Sequence, residues 1–305
     1  MKEVKLNSRN IRDAISRLEK MELSKISKED LRKVLDRLMS GYKVEAPRYE
    51  AGLDIFRARI CEKPGTIGEC SYPPAQYVKE RGRANDVNQS MFYGSNYRGV
   101  PLFELRCEPG DKIALSHWRT TAPLVLNHIG FTEETEERLG SNRSLPAIYD
   151  FVKKTNNFND LNEMVHEYLG FMFSKPLDGE EDQAYYKLTS TISDMMMQSE
   201  HINGLMFPTN QMFGNAENII LKPEYVEQSM DFISVEYIEV ISKEGATYEI
   251  NSIDSATRED AGVLQWSGRP LQWTIEKPGA LYKFEYQASG IWVAKDLEGN
   301  ILNPS

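Results

Sequence analysis

Residues 82–105 read "GRANDVNQSMFYGSNYRGVPLFEL". This stretch joins a Gly-Arg-x-Asn segment, a Tyr-Gly-Ser turn and an apolar run that holds one carboxylate, Glu104. Short apolar runs bounded by turn residues are typical of strands, so we predict short strands at 91–94 and 101–106. A strand that is half buried and carries Glu104 needs an explanation.

Two explanations for Glu104 are open from the sequence. The first is an exposed ion pair with Arg83 on a neighbouring strand, which would contribute little to stability. The second is a ligand site. Arg83 offers a planar set of donors for phosphate or carboxylate, and Gly82 lets the backbone approach a ligand closely. Tyr93 adds a flat apolar face and a hydroxyl, while Glu104 could orient a ribose hydroxyl or stabilise positive charge on a sugar ring.

The N-terminal residues have a helical sequence pattern, unlike the residues that follow them. Apolar residues at helical spacing predict two helices within 8–40, with Ser8 and Ser27 as candidate N-caps and Gly41 after the second helix. A strand follows within 51–64, and it carries Arg57 and Arg59 on one face.

The remaining elements are predicted from hydrophobic period and from turn residues. They are a strand at 110–118, helices at 145–173 and 183–198, a strand–turn–strand unit at 202–223, and strands from 230 onward. We therefore predict one compact α+β body in three parts: a helical arm at 1–45, a core at 46–235, and a β-rich extension at 236–305 packed on the core.

Composition excludes several classes of function. The 305 residues carry a formal net charge of −10, which argues against direct nucleic-acid binding and against binding to an anionic membrane surface. The chain starts with a polar segment and has no apolar run long enough to span a bilayer, so we expect a cytoplasmic protein.

Cysteine and histidine usage points to neither disulfides nor a metal site. The three cysteines lack a C-x-x-C pair and are expected to be buried, reduced thiols. The four histidines form no H-E-x-x-H or other close ligand pair, so no metal is expected. Nucleophile-elbow, P-loop and dinucleotide-fold glycine motifs are also missing from the sequence.

The order of five short motifs resembles the RES domain family, which is named for an arginine, a glutamate and a serine. The motifs are "GRAN" at 82–85, Tyr93, "LFEL" at 102–105, "NGLMFPTN" at 203–210 and "ENIILKP" at 217–223. The resemblance spans roughly residues 50–235. The chain departs from the family at Arg81 and Ala84, where the family has glycine and tryptophan, and at Thr209, where it has serine.

This resemblance implies an ADP-ribosyltransferase-like fold with a split β-sheet core and flanking helices. It also implies NAD as the substrate, with cleavage of the nicotinamide–ribose bond by hydrolysis or phosphorolysis. Known members are commonly bacterial toxins paired with an antitoxin protein. Carried over by position, the catalytic residues are Glu104, Arg83 and Thr209, and the NAD-binding residues are Arg57, Arg59, Asn85, Tyr93 and Asn218.

Two alternatives of different kinds share the same site. One is an ADP-ribosyltransferase that modifies a protein acceptor. The other is a non-catalytic nucleotide-binding or interaction module, which Ala84 and Thr209 favour because they depart from the family residues.

Overall fold

The computed structural model describes residues 6–43, 46–142, 159–177, 182–244, 247–269, 271–276, 283–286 and 292–295. Within them the chain is a mixed α+β protein, as the sequence predicts. The α-helices are α1 (Ser8–Glu19), α2 (Lys28–Met39), α3 (Ile67–Cys70), α4 (Val100–Glu104), α5 (Glu133–Leu139), α6 (Asp160–Ser174), α7 (Asp182–Met196) and α8 (Pro223–Ser229).

The strands form two main sheets and one separate pair. They are β1 (Arg48–Tyr49), β2 (Asp54–Ile60), β3 (Phe92–Gly94), β4 (Lys112–Thr120), β5 (Leu124–His128), β6 (Gly204–Pro208), β7 (Glu217–Leu221), β8 (Met230–Glu244), β9 (Thr247–Arg258), β10 (Leu264–Trp266), β11 (Leu271–Glu276), β12 (Lys283–Tyr286) and β13 (Trp292–Lys295). The five-stranded sheet has the order β1-β5-β6-β7-β3, and only β5 and β6 are parallel in it. The six-stranded antiparallel sheet has the order β10-β9-β8-β4-β2, with β11 also paired to β9, and β12 pairs with β13 alone.

In the described part of the chain, a backbone bridge between Phe56 and Ser95 joins the two main sheets. The amide of Phe56 donates to the carbonyl of Ser95 at 2.7 Å, and the amide of Ser95 donates to the carbonyl of Phe56 at 2.9 Å. The bridge links β2 of the six-stranded sheet to the residue that follows β3.

The predicted N-terminal helices are present as α1 and α2. Asn7, rather than Ser8, caps α1 by accepting from the amides of Arg9 and Asn10, because Ser8 already lies inside the helix. Ser27 caps α2 as predicted, and Gly41 adopts a positive φ of 87° just beyond its end. The buried stripes of both helices share a hydrophobic cluster with apolar residues of α6 and α7.

Residues 100–104 form the helix α4, so the predicted strand at 101–106 is wrong. Pro101 lies in the first turn, where its fixed φ suits a helix and its missing N–H is not needed. Val100, Leu102 and Phe103 are buried together, which is not the alternation of a half-buried strand. The prediction at 91–94 is confirmed by β3.

The helix predicted at 145–173 is observed as α6 over its second half, and its first part lies outside the described residues. The helix α7 confirms the predicted helix at 183–198, and β6 and β7 confirm the predicted strand–turn–strand unit at 202–223. The strands predicted from 230 onward are confirmed in the described residues by β8 and the strands after it.

Strand β8 is central to the six-stranded sheet. It pairs with β4 on one side and with β9 on the other, and it is 15 residues long. The proposed boundary between core and extension, at residues 235–236, falls inside this strand. The described strands after 235 therefore continue the sheet that contains β2 and β4.

Two buried histidines make folding sensitive to mild acid. Burial lowers the pKa of His128 to about 3 and that of His166 to about 4. Histidine in an unfolded chain has a pKa near 6.5. Below that pH the unfolded chain therefore binds protons at His128 and His166, whereas the folded chain does not. The stabilisation is therefore present above about pH 6.5 and is lost as the pH falls towards 4.

We expect the free energy of unfolding to fall between about pH 6.5 and pH 5 by up to about 1.4 kcal/mol per pH unit for each of these histidines. His128→Gln should make the slope shallower in urea unfolding, whereas His201→Gln, at an exposed site, should not change it. Identical slopes for the two variants would contradict the assignment.

None of the helices in the described ranges is both long and apolar enough to cross a bilayer. The three cysteines are free, and burial raises the pKa of Cys70 and Cys107 to about 12. Cys61 is only partly buried.

Candidate functional site

A cavity of about 1050 Å³ lies between the two main sheets. Its walls come from β2 of the six-stranded sheet, from β3 and β7 of the five-stranded sheet, and from the loop that contains residues 80–85. Among the described residues, six arginines line it: Arg57, Arg59, Arg81, Arg83, Arg106 and Arg138. Only two carboxylates do so, Glu80 and Glu104. The cavity is thus basic within an acidic chain.

Seven of the eight site residues predicted from the sequence line this cavity. They are Arg57, Arg59, Arg83, Asn85, Tyr93, Glu104 and Asn218. Thr209 is the exception, because its side chain is completely buried away from the cavity surface.

The Gly-Arg-x-Asn loop is fixed by the hydroxyl of Tyr93. This hydroxyl donates to Oδ1 of Asn85 at 2.7 Å and accepts from the amide of Ala84 at 2.9 Å. Burial raises the pKa of Tyr93 well above its usual value, so the phenol stays neutral. A Cβ on Gly82 would lie 2.5 Å from Oδ1 of Asn85 and 2.8 Å from the Tyr93 hydroxyl. A larger residue at 82 would therefore displace Asn85 or the Tyr93 hydroxyl and disturb the hydrogen bond between them.

Arg83 projects from the loop with part of its guanidinium unpaired. Nη2 donates to the carbonyl of Lys175 at 3.1 Å, and the ring of Tyr186 lies 5.8 Å from Cζ. Nη1 is buried and has no hydrogen-bond partner among the described residues. A buried donor without a partner is costly, so this atom is suited to an acceptor on a ligand.

Arg57 lies on β2 and is held by main-chain carbonyls rather than by an acid. Nε donates to Ser71 at 3.1 Å and Nη1 donates to Tyr93 at 2.9 Å, while Cζ lies 5.5 Å from the ring centroid of Phe92. Burial, with repulsion from Arg59, lowers the pKa of Arg57 to about 10, so it is still charged at neutral pH. No carboxylate pairs with Arg57 in the described ranges, and a bound anion would supply that missing charge.

Arg59, two residues further along β2, is exposed. Its Nη1 donates to the carbonyl of Glu69 at 3.2 Å. Its guanidinium lies at the edge of the cavity, where solvent weakens its electrostatic effect.

Glu104 is the last residue of α4, and its carboxylate is held by an amide. Nδ2 of Asn218, on β7, donates to Oε1 of Glu104 at 3.1 Å. Neither Glu104 nor Arg83 forms an ion pair in the described part of the chain, so the surface-pair explanation of Glu104 is not observed. Asn218 orients the carboxylate without neutralising it.

Thr209 caps the turn that follows β6. Its hydroxyl accepts from the amide of Met212 at 3.1 Å, and its own amide donates to the carbonyl of Ala216 at 2.9 Å. The turn presents Asn210 and Phe213 to the cavity. The threonine hydroxyl is therefore used inside the turn rather than in the cavity.

We expect Thr209→Val to lower the free energy of unfolding by about 1–3 kcal/mol, because the buried amide of Met212 loses its acceptor. Thr209→Ser keeps the hydroxyl and is the matched control, with stability close to wild type in urea unfolding. A Thr209→Val protein that unfolds like wild type but loses ligand binding would contradict this role and would show that the hydroxyl contacts the ligand.

Three cavity arginines are not among the site residues predicted from the sequence: Arg81, which directly precedes the Gly-Arg-x-Asn segment, Arg106 and Arg138. Arg106 and Arg138 share an anchor. Nη2 of Arg106 donates to the carbonyl of Leu177 at 3.1 Å, and Nη2 of Arg138 donates to Oγ of Ser174. Together with Arg83 they are anchored on the end of α6 and the three residues after it. These arginines are far apart in sequence and lie in no recognisable motif, so only the fold brings them together.

No protein-family model matches the chain, and no curated protein matches it. The described residues also contain no group of three or more His, Cys, Asp or Glu that is arranged to hold a metal ion. Function is therefore inferred from the chemistry of the cavity.

Proposed function

We propose that the protein is a RES-domain enzyme that consumes NAD by cleaving its nicotinamide–ribose bond, and that it acts as a bacterial toxin paired with an antitoxin. The observation that carries this proposal is the composition of the cavity. Six arginines and one amide-held carboxylate line it, in a chain whose net charge is −10. Such a cavity favours an anionic ligand that also develops positive charge when it reacts.

The pyrophosphate of NAD is the part that needs the arginines. Nη1 of Arg83 is buried without a partner, and Arg57 carries a charge that no acid neutralises among the described residues. Guanidinium groups suit phosphate oxygens because they present several donors in one plane. The two residues line the same cavity from different elements, β2 and the loop at 80–85, so both are available to a pyrophosphate bound there.

Glu104 has the electrostatic role. When the bond between the ribose carbon and the nicotinamide nitrogen breaks, its electron pair leaves with the nitrogen, and nicotinamide departs neutral. Positive charge then spreads over the ribose ring, and a nearby carboxylate stabilises it. Water or phosphate completes the reaction by forming a new carbon–oxygen bond, and water also loses a proton.

The arrangement of the sheets supports the finer fold assignment, an ADP-ribosyltransferase-like split sheet. The two sheets meet at the bridge between Phe56 and Ser95, and residues of both sheets line the cavity. A ligand cleft between two sheet halves, flanked by helices, is what that assignment requires.

Two observations favour the alternatives. Large apolar side chains are exposed beside the cavity, with Phe213 at 53% and Leu105 at 37%, which suits a protein acceptor and hence an ADP-ribosyltransferase. The hydroxyl of Thr209 does not reach the cavity, which suits a nucleotide-binding module without turnover.

The decisive experiment incubates the purified chain with NAD, with and without inorganic phosphate, and follows the products by chromatography. We expect free nicotinamide, accompanied by ADP-ribose when water is the acceptor or by its phosphorylated form when phosphate is. Transfer of labelled ADP-ribose to added protein would instead identify the transferase. Binding of NAD without any nicotinamide release would identify the binding module and overturn the proposed activity.

A further inference from the structure

Lys28, at the start of α2, connects the helical arm to the loop that carries Arg83. Its Nζ donates to Oδ2 of Asp86 at 2.7 Å and to Oδ2 of Asp194 at 2.6 Å. Asp86 belongs to the loop and Asp194 belongs to α7. A single ammonium therefore joins the arm, the loop and the helix behind the cavity.

The same two carboxylates are tied to other loop residues. Nε of Arg81 donates to Oδ1 of Asp86 at 2.8 Å, and Nε2 of Gln89 donates to Oδ1 of Asp194 at 2.9 Å. The amide of Asp86 in turn donates to Oε1 of Gln89 at 2.7 Å. The charges of the two cations and two acids cancel, so the group forms a closed network in which each carboxylate has partners.

Arg81 and Gln89 of the network line the cavity themselves, and Asn85 connects the network to Tyr93. Nδ2 of Asn85 donates to the carbonyl of Asp86 at 3.0 Å, and Oδ1 accepts from the Tyr93 hydroxyl. Arg83 lies two residues before Asn85 in the same loop. The position of Asp86 therefore affects both cavity side chains, although Lys28 itself does not line the cavity.

We propose that Lys28 is a positioning residue of the cavity: the helical arm uses it to hold the loop that presents Arg83 and Asn85 to the ligand. Without this ammonium, Asp86 keeps Arg81 as its cationic partner but Asp194 keeps only the neutral Gln89, so the two acids lose their shared cation and their repulsion drives the loop away from α7. The identity of the ligand rests on the proposed NAD-consuming function, whereas the holding of the loop does not.

The test compares Lys28→Met with Lys33→Met in the full-length chain. Both residues lie on α2 and both pair with acids, but Lys33 is 62% exposed and bonds only Glu29 and Asp30 on its own helix, whereas Lys28 is 34% exposed. The first measurement is amide hydrogen exchange of residues 80–90 without ligand. Loss of two charge-assisted hydrogen bonds predicts exchange at least about tenfold faster in Lys28→Met, and no change in Lys33→Met.

The second measurement is the kinetics of nicotinamide release. A displaced phosphate-binding loop is expected to raise KM for NAD by about tenfold while kcat changes little. Lys28→Arg keeps the cation and should restore the wild-type KM. A general loss of stability would instead lower activity together with the melting temperature.

Unchanged exchange of residues 80–90 in a folded Lys28→Met protein would overturn the proposal. If the wild type neither binds nor cleaves NAD, the proposed function fails, but faster exchange would still support the role of Lys28 in holding the loop. A Lys33→Met protein with the same exchange as Lys28→Met would also overturn it, since a general effect on α2 would then be the cause.

Discussion

Glu104→Gln is expected to lower the rate of nicotinamide release by roughly 10²–10³-fold, because it removes one preorganised charge from the side of the ribose. Glutamine keeps the size of the side chain and can still accept from Asn218, so the local structure should survive. NAD affinity and the melting temperature should therefore stay close to wild type. The three measurements are nicotinamide release, NAD titration and thermal melting of the purified variant.

Glu80→Gln is the matched control for this result. Glu80 is the other carboxylate that lines the cavity in the described part of the chain, but it is exposed. Its removal tests whether any negative charge near the arginines has the same effect. Equal rates for wild type and a folded Glu104→Gln protein would rule out electrostatic stabilisation by Glu104.

Glu104→Gln also tests whether NAD cleavage affects the growth of bacteria that express the protein. Under the proposed function, expression of the wild-type chain in bacteria should lower cellular NAD and slow growth. Glu104→Gln should relieve both effects at equal protein level. Slow growth at a normal cellular NAD level would show that NAD consumption is not the cause of the growth defect.

Arg83→Ala should weaken NAD binding by one to two orders of magnitude, because charge-assisted hydrogen bonds contribute about 1.5–3 kcal/mol each. Arg83→Lys should recover part of this loss, since an ammonium supplies charge but not two donors in one plane. The difference between the two variants isolates the geometry of the guanidinium. Calorimetric titration with NAD measures both.

Arg48→Ala provides the control for Arg83→Ala. Arg48 lies on β1, its side chain is 63% exposed and it does not line the cavity. It removes one positive charge from the same protein without touching the site. If Arg83→Ala bound NAD as tightly as Arg48→Ala does, Arg83 would have no part in holding phosphate.

The elements predicted well from the sequence are those that local physics determines. The helices of the N-terminal arm follow from apolar residues at helical spacing and from the cap at Ser27. The run at 101–105 was misjudged because a short apolar segment has no clear period, so tertiary packing decides between strand and helix. Here the helix α4 is favoured by Pro101 in its first turn and by the burial of Val100, Leu102 and Phe103.

The candidate site likewise contains residues that the sequence predicts and residues that only the fold brings together. Residues that belong to ordered motifs, such as Arg83, Tyr93 and Asn218, lie together on the cavity wall as expected. Thr209 does not, because the order of motifs along the chain carries no information on which side of a turn a hydroxyl points. Arg106 and Arg138 were missed because their common anchor, at the end of α6, exists only in three dimensions.

The continuity of β8 across residue 235 has a consequence for how the chain is made. Residues 112–115 of β4 pair with residues 236–239 of β8, so β4 keeps a half-open edge until that later segment has been synthesised. Open strand edges recruit strands from other molecules, and a protein shortened to residue 235 would carry such an edge permanently. The edge of β4, next to the arginine-bearing strand β2, is therefore covered only once residues 236–239 have been made.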